Sequence, residues 1–233
     1  MKKYLLLFGF LILGFTSQSQ LLMSLIFGDK LNSEGIEFGL EGGVNFTTIS
    51  GFETHKSLPN FNLGFYFDIR MKNQFYLHTG VQGISSFGMR NLTESDLEFL
   101  EAELEDYKGK YKQKVYCFMV PILANYKFKN HMYVEAGPQV GLLYDAWVQF
   151  DSNENNKETR IKDYNDNLLN WFEGGFAIGA GYRLLDGKGM TIGVRYYQGL
   201  SNVFKYRSGT NQNSFLLKVN IPVGAGKAKE KKG

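Results

Sequence analysis

Phe61-Asn-Leu-Gly-Phe-Tyr-Phe-Asp-Ile-Arg70 alternates without a break. Phe61, Leu63, Phe65, Phe67 and Ile69 share one face; Asn62, Gly64, Tyr66, Asp68 and Arg70 share the other. Successive side chains of a strand point to opposite sides, so the stretch reads as a strand with one apolar and one polar face. The pattern returns over 213–222, where Phe215, Leu217, Val219 and Ile221 oppose Ser214, Leu216, Lys218 and Asn220. It returns again over 172–184, where Phe172, Phe176, Ile178, Ala180, Tyr182 and Leu184 oppose Glu173, four small residues and Arg183. Looser runs at 36–49, 74–87, 115–128, 132–148 and 190–200 bring the total to eight. A tilted strand crosses a bilayer in about 9–11 residues, a length these runs reach.

The connections between these runs alternate in length. Those at 71–73, 129–131 and 185–189 are tight, whereas 50–60, 88–114, 149–171 and 201–212 are long and polar. Strict alternation of short and long connections is the signature of an even-numbered membrane barrel with short periplasmic turns and long outer loops. It puts both chain ends in the periplasm. The expected fold is all-β: an eight-stranded antiparallel up-and-down transmembrane β-barrel.

A soluble lipocalin-like barrel also has eight up-and-down strands. The two differ in where the charge goes. Here Phe38, Leu40, Val44 and Phe46 oppose Glu37, Gly39, Glu41, Gly43 and Asn45, and Val134, Ala136, Val140 and Leu142 oppose Glu135, Gly137, Gln139 and Gly141. A pocket lined by carboxylates suits a lipid ligand poorly. A polar lumen with the apolar face turned to lipid is what a membrane barrel requires. Interfacial aromatics are expected at Phe75, Tyr126, Phe128 and Tyr133 below and at Tyr144, Trp147, Trp171 and Phe204 above.

Residues 1–20 read as a secretory leader. Lys2 and Lys3 precede an apolar run, Tyr4 to Phe15, followed by the small polar exit Thr16 to Gln20. That run is shorter than the roughly 20 residues of a spanning helix. The expected division is then a periplasmic segment at 21–35, the barrel at 36–223 and a basic tail at 224–233. The apolar stretch Leu21 to Phe27 is read either as a helical turn at the barrel mouth or as a sign of later cleavage. Without Lys2 and Lys3, 24 of the 26 basic residues stand against 23 acids, a balance that gives no reason to expect nucleic acid as a partner. Cys117 is the only cysteine, which excludes an internal disulfide. The partners expected are outer-membrane lipid and a cell-envelope or extracellular protein met through the outer loops.

No catalytic set emerges, and neither a cofactor nor a metal is expected. His55, His78 and His131 fall on an outer loop, in mid-strand and on a periplasmic turn, too far apart for one metal. By alternation His78 points inward with Tyr76 and Gln82, and reads as a satisfied lumen histidine rather than the base of a hydrolase. Asp151, Asn153 and Asn155 have the spacing of early calcium-loop ligands, but Asn156 and Lys162 stand where Gly and Glu are needed. Within 88–114, Thr93 is placed to cap a helix carrying Leu97, Leu100, Leu104, Tyr107 and Tyr111. The seven acids from Glu94 to Asp106 read as its solvated face. The residues singled out are those of the lumen. By alternation Glu37, Glu41, Asp68, Arg70, Glu135, Glu173, Arg183, Arg195 and Lys218 point inward, five acids against four bases, and are expected to pair and block the bore in place of a hydrophobic core.

Leu25-Ile-Phe-Gly-Asp-Lys-Leu-Asn32 with Phe38-Gly-Leu-Glu-Gly-Gly-Val-Asn45 resembles the start of the PorT-like outer-membrane β-barrel proteins of Bacteroidetes. Val134-Glu-Ala-Gly-Pro-Gln-Val-Gly-Leu142 is similar to that family's fifth-strand segment, and Val120-Pro-Ile-Leu123 before Tyr126 to its fourth. The resemblance implies an outer-membrane location and an eight-stranded barrel; a few members serve protein secretion or gliding. Its motifs belong to the barrel wall and carry no chemistry. The Lys-rich tail after the last strand departs from a barrel that ends on an aromatic residue. A non-enzymatic structural or interaction protein is the leading expectation, with a small channel and a lipid-modifying enzyme as alternatives.

Overall fold

The computed structural model describes residues 32, 33, 35–106, 108–154 and 157–223. The expected leader, the Leu21 to Phe27 stretch and the basic tail lie outside the described residues. The strands are β1 (Ile36–Ile49), β2 (Lys56–Lys72), β3 (Phe75–Arg90), β4 (Lys110–Lys127), β5 (Met132–Glu154), β6 (Lys157–Tyr164), β7 (Phe172–Arg183), β8 (Thr191–Gly199) and β9 (Gln212–Pro222). Eight of them form a ring in which every neighbour is antiparallel: β1–β2–β3–β4–β5–β7–β8–β9, closed by β9 on β1. A closed ring leaves no strand edge unpaired, the condition for a sheet to span a bilayer.

β6 pairs only with β5. The stretch expected to be one long polar loop is instead a hairpin that carries the wall past the ring. Only Ile161 and Tyr164 of the β6 residues are apolar, one on each face, so no apolar alternation marks it. β2 and β4 likewise begin earlier than the apolar pattern does, at Lys56 and Lys110.

The outward face of the ring is apolar through its middle band. Phe61, Ile122, Val134, Phe176, Ile178, Val194, Phe215 and Leu217 are all exposed large hydrophobics. On β4 the outward row runs Tyr126, Ala124, Ile122, Val120, Phe118, Tyr116. Ten residues at about 3.3 Å each span about 33 Å of strand; a tilt of about 40° makes that roughly the 25 Å height of an apolar barrel band. Phe75, Tyr126 and Phe128 cluster at its short-turn end, with ring centroids 4.8 Å apart. Tyr144 and Trp171 stand exposed at the long-loop end. Tyr133 and Phe204 correct the aromatic assignment. Tyr133 shares the parity of Glu135 and is buried inside the ring, and Phe204 is fully buried under the loops.

The short turns depend on left-handed residues: Asn73 (φ 53°), His131 (φ 68°) and the run Leu185, Asp186, Gly187 (φ 53°, 49°, 79°). At the other end, helix α1 (Glu94–Phe99) is one short element rather than the longer helix expected. Thr93 caps it, with Asp96 completing a capping box. Asp96 is not part of a solvated face. It is fully buried and accepts the backbone N–H groups of Glu53 (3.0 Å), Thr54 (3.3 Å) and Thr93 (3.2 Å), tying α1 to the first loop. Leu104 is exposed and Tyr111 lies on β4.

Candidate functional site

The lumen is closed at two levels. In the half toward the short turns, Arg195 of β8 lies at the centre, almost fully buried. Its guanidinium donates to both oxygens of Glu41 (2.8 and 3.1 Å) and, through Nε, to Glu135 (2.7 Å). Lys218 Nζ bridges the same two carboxylates at 3.0 Å each and lies 5.5 Å from the centre of the Tyr133 ring. Gln82 donates to Glu41 at 2.9 Å. His78 extends the layer sideways. Its Nδ1 is 2.6 Å from Asp68, which also takes Lys127 at 2.5 Å. With Nδ1–H given to Asp68, Nε2 accepts from Arg195 Nη2 at 3.0 Å.

The three carboxylates (Glu41, Asp68, Glu135) thus balance the three bases (Lys127, Arg195, Lys218). Seven of the eight ring strands contribute; β7 contributes space. A Cβ at Gly179 would lie 2.7 Å from Glu135 Oε1, and one at Gly181 would strike the Tyr133 ring. Alternating glycine on β7 is what lets long charged side chains meet across so narrow a ring. Charges taken out of water are tolerated only when paired and hydrogen-bonded, and here nearly every oxygen and nitrogen is.

Four of the nine residues singled out from the sequence meet in this layer with Asp68 as its flank: Glu41, Glu135, Arg195 and Lys218. Glu37 and Arg183 pair separately at the short-turn rim at 2.7 Å, with the Tyr66 hydroxyl donating to Glu37 at 3.0 Å. Arg70 corrects the expectation: it is exposed, and its Nε donates to the Asn73 carbonyl at 3.2 Å. Glu173 also stands apart. It is fully buried and accepts from Tyr197 OH (2.9 Å) and Ser201 Oγ (2.8 Å), with no ion pair among the described residues. Lys127 is not marked in the sequence, because the inward face of its own strand, from Gln113 to Asn125, carries no other charge.

Above the ionic layer lies a cavity of about 10 Å³, room for roughly one water molecule. Asn45, Asn62, Gln139 and Gln212 line it, and each has a buried amide oxygen without a partner. Higher still the bore is apolar, which corrects the idea that charge replaces a hydrophobic core. Phe87, Met89, Val115, Cys117, Met119, Leu143, Ala146 and Val148 turn inward from β3, β4 and β5. Leu97, Leu100, Leu168, Leu169, Val203 and Phe204 come down on them from the loops. Phe52, Phe99 and Phe204 form a three-ring cluster with centroids 5.6–5.7 Å apart, and the Arg207 guanidinium covers Phe52 at 4.6 Å. Gln113 and Asn165 exchange two side-chain hydrogen bonds (3.1 and 3.0 Å), and Asn165 also donates to Leu100 O at 3.2 Å. These loops form a fixed lid.

Among the described residues no group of three or more His, Cys, Asp or Glu is placed to hold a metal ion. Asp151 is engaged with Lys112, Gln149 and Arg160 rather than with a calcium loop.

No curated protein matches the sequence. Among solved structures, the chain is similar to Ail, the attachment invasion locus protein of Yersinia pestis, solved with the heparin analogue sucrose octasulfate. The identity is 11%, with 82% of this chain and 99% of that one covered and a TM-score of 0.42. Neisserial surface protein A matches at 10% identity over 81% and 97% of the two chains, TM-score 0.42. The outer membrane protein OprG of Pseudomonas aeruginosa matches at 12% identity over 81% and 93%, TM-score 0.35. The family model described as outer membrane protein beta-barrel domain matches residues 17–205, most of the chain. With a closed eight-strand ring that is apolar outside and charged within, this chain belongs to the outer membrane protein beta-barrel domain family and resides in the outer membrane.

Proposed function

We propose that this protein is a sealed, non-conducting barrel of the PorT-like branch that serves as a structural or interaction protein through its outer loops, without catalytic activity. The observation that carries the reading is the double closure: an ionic layer and, above it, an apolar lid fill the bore. An eight-stranded barrel is just wide enough to be filled by side chains, and this one is. His78 bonds Asp68 and Arg195 and no hydroxyl, so the histidine best placed for hydrolytic chemistry is occupied in the ion-pair layer. The long loops face the cell exterior and the short turns the periplasm, and the ordered lid and the β5–β6 hairpin form the surface offered to a partner.

Two measurements test this. Purified protein in planar bilayers is expected to show no steady conductance, whereas stable single-channel steps transfer the reading to a small channel. Epitope tags inserted beside Asn153 or Gly209 are expected to bind antibody on intact cells, and tags beside Lys129 or Gly187 only after the outer membrane is opened. The reverse pattern inverts the orientation.

A further inference from the structure

The outward row of β4 does not end at Tyr116. Beyond it come Lys114, Lys112 and Lys110, at every second residue and therefore on the same face. Cross-strand register extends this column into a grid. Lys114 lies opposite Trp147, which lies opposite Tyr164; Lys112 opposite Gln149, then Lys162; Lys110 opposite Asp151, then Arg160. On the other side Arg90 of β3 is the register partner of Lys112. Gln113, Val115, Val148 and Phe150 are buried on the opposite face, which fixes this one as the outside of the wall.

Six bases thus share a face with three acids: Asp151, Glu158 one step further out, and Asp145 opposite Tyr116 on the membrane side. Asp151 takes Lys112 and Arg160. Lys110, Lys114 and Lys162 have no ion-pair partner among the described residues. Lys162 Nζ instead sits 3.9 Å above the Trp147 ring, which stacks on Tyr116 at 4.9 Å. Lys114 is half-buried, and burial, then the charges of Lys112 and Lys162, hold its ammonium below the ordinary lysine range. The cluster is a concentration of positive charge kept together by the β-sheet against its own repulsion.

Its position says what relieves that repulsion. The aromatic belt of Tyr116, Tyr144, Trp147 and Tyr164 marks the end of the apolar band, with centroids 4.9–6.3 Å apart along the row. Lys114 stands one outward step, about 7 Å, beyond Tyr116. That is headgroup depth, on a face continuous with the lipid-contacting wall. We propose that this face of β4, β5 and β6 binds the phosphate of a membrane-lipid headgroup in the outer leaflet, with Lys114 and Lys162 as its principal contacts. The side chains reach sideways from the wall, where a lipid anchored beside the barrel presents its phosphate. A soluble anion would gain nothing from the neighbouring aromatic belt.

The inference rests on the orientation proposed above only for the choice of leaflet. Binding of a phosphorylated headgroup is readable without it. Trp147 and Trp171 are the only tryptophans, so Trp171→Phe leaves Trp147 as a reporter at the site. The full-length Trp171→Phe protein, refolded in nanodiscs of neutral lipid, is compared with the same discs containing a bis-phosphorylated lipid A or its dephosphorylated form. The phosphorylated lipid is expected to shift Trp147 emission and the dephosphorylated form to leave it unchanged. Lys114→Gln and Lys162→Gln are each expected to weaken the response by about fivefold. Lys72→Gln with Lys188→Gln at the short-turn end is expected to have no effect, and heat-modifiable gel mobility verifies that every variant is folded. Equal responses to the two lipids overturn the proposal. So does equal loss from the short-turn variants, or a response to inorganic phosphate or a soluble sulfated polysaccharide as strong as that to the lipid.

Discussion

The two halves of the lumen solve one problem in opposite ways. Toward the short turns, the ring is filled by Glu41, Glu135, Arg195 and Lys218, side chains that tolerate burial only because each neutralises another. Toward the long loops, Phe87, Met89, Val115 and Met119 meet Leu100 and Phe204, and the filling is ordinary apolar packing. The difference follows from what the chain supplies at each level. Mid-barrel, only strand residues reach the axis, and long charged side chains span it from strand to strand. At the mouth, loops fold inward and bring short apolar groups to fill the space. The ionic layer gives the wall a unique register, because a slip of one residue would send Arg195 and Glu135 into lipid. The lid contributes burial, at roughly 1.5–3 kcal/mol per large apolar side chain.

The ionic half is where one substitution does most. Arg195→Ala leaves Glu41 and Glu135 facing each other across a dry bore with Lys218 as their remaining cation. Removing one partner of a buried pair costs about 3–5 kcal/mol. The unfolding midpoint in denaturant is expected to drop accordingly, while Lys188→Ala in an exposed turn stays within about 0.5 kcal/mol. Equal midpoints for the two variants would erase the distinction drawn between the halves.

In the apolar half the cost is expected to stay local. Phe204→Ala opens a hole among Phe52, Phe99 and the strand residues beneath. Large-to-small changes in packed cores cost up to about 3–5 kcal/mol, less where the site can collapse, as a loop can. Hydrogen exchange is expected to accelerate in 165–169 and 200–204 while the amides of β8 and β9 keep their protection. The variant is also expected to remain electrically silent, because the ionic layer below is intact. Conductance in Phe204→Ala alone would show that the lid, not the charge layer, seals the bore.

The wall was legible in the sequence, and the interior only where the wall's alternation decided it. Strict parity around Phe61–Arg70 and 213–222 located strands and faces, and it turned Glu41, Arg195 and Lys218 toward one another without any contact being known. Tyr133 reads in sequence as an interfacial residue although it shares parity with Glu135, because an aromatic at a strand end fits both places. Lys127 escaped because no other residue on the inward face of β4 is charged. The lid and β6 were not legible at all. Phe52, Phe99 and Phe204 come from three different loops, and no local period announces that they converge. Arg70 shows the limit of parity itself: alternation gives the face, but at the last turn of a strand that face opens to solvent.

The smallest expected effect comes from an ion pair of the same chemistry moved out of the bore. Asp151 on the β5–β6 extension takes Lys112 at 2.5 Å and Arg160 at 3.0 Å, but about a third of its side chain is exposed. Burial pushes its carboxyl upward. The hydrogen bonds from Lys112, Gln149 and Arg160 outweigh that and bring it down to about 2, from an ordinary 3.8. A depressed carboxyl stabilises the folded state in full above its unfolded value, and the contribution is lost as pH falls through the folded one. The window therefore runs from about pH 4 down to about pH 2. Water and salt screen this pair, so its effect belongs to the hairpin and not to the ring. Across that window the protection of β6 amides is expected to fall modestly in the parent and to be already low and flat in Asp151→Asn, with the amides of β8 unchanged in both. A drop in β8 protection that tracked Asp151 would mean that the extension and the ring are one cooperative unit. The contrast between buried and exposed ion pairs would then have to be redrawn.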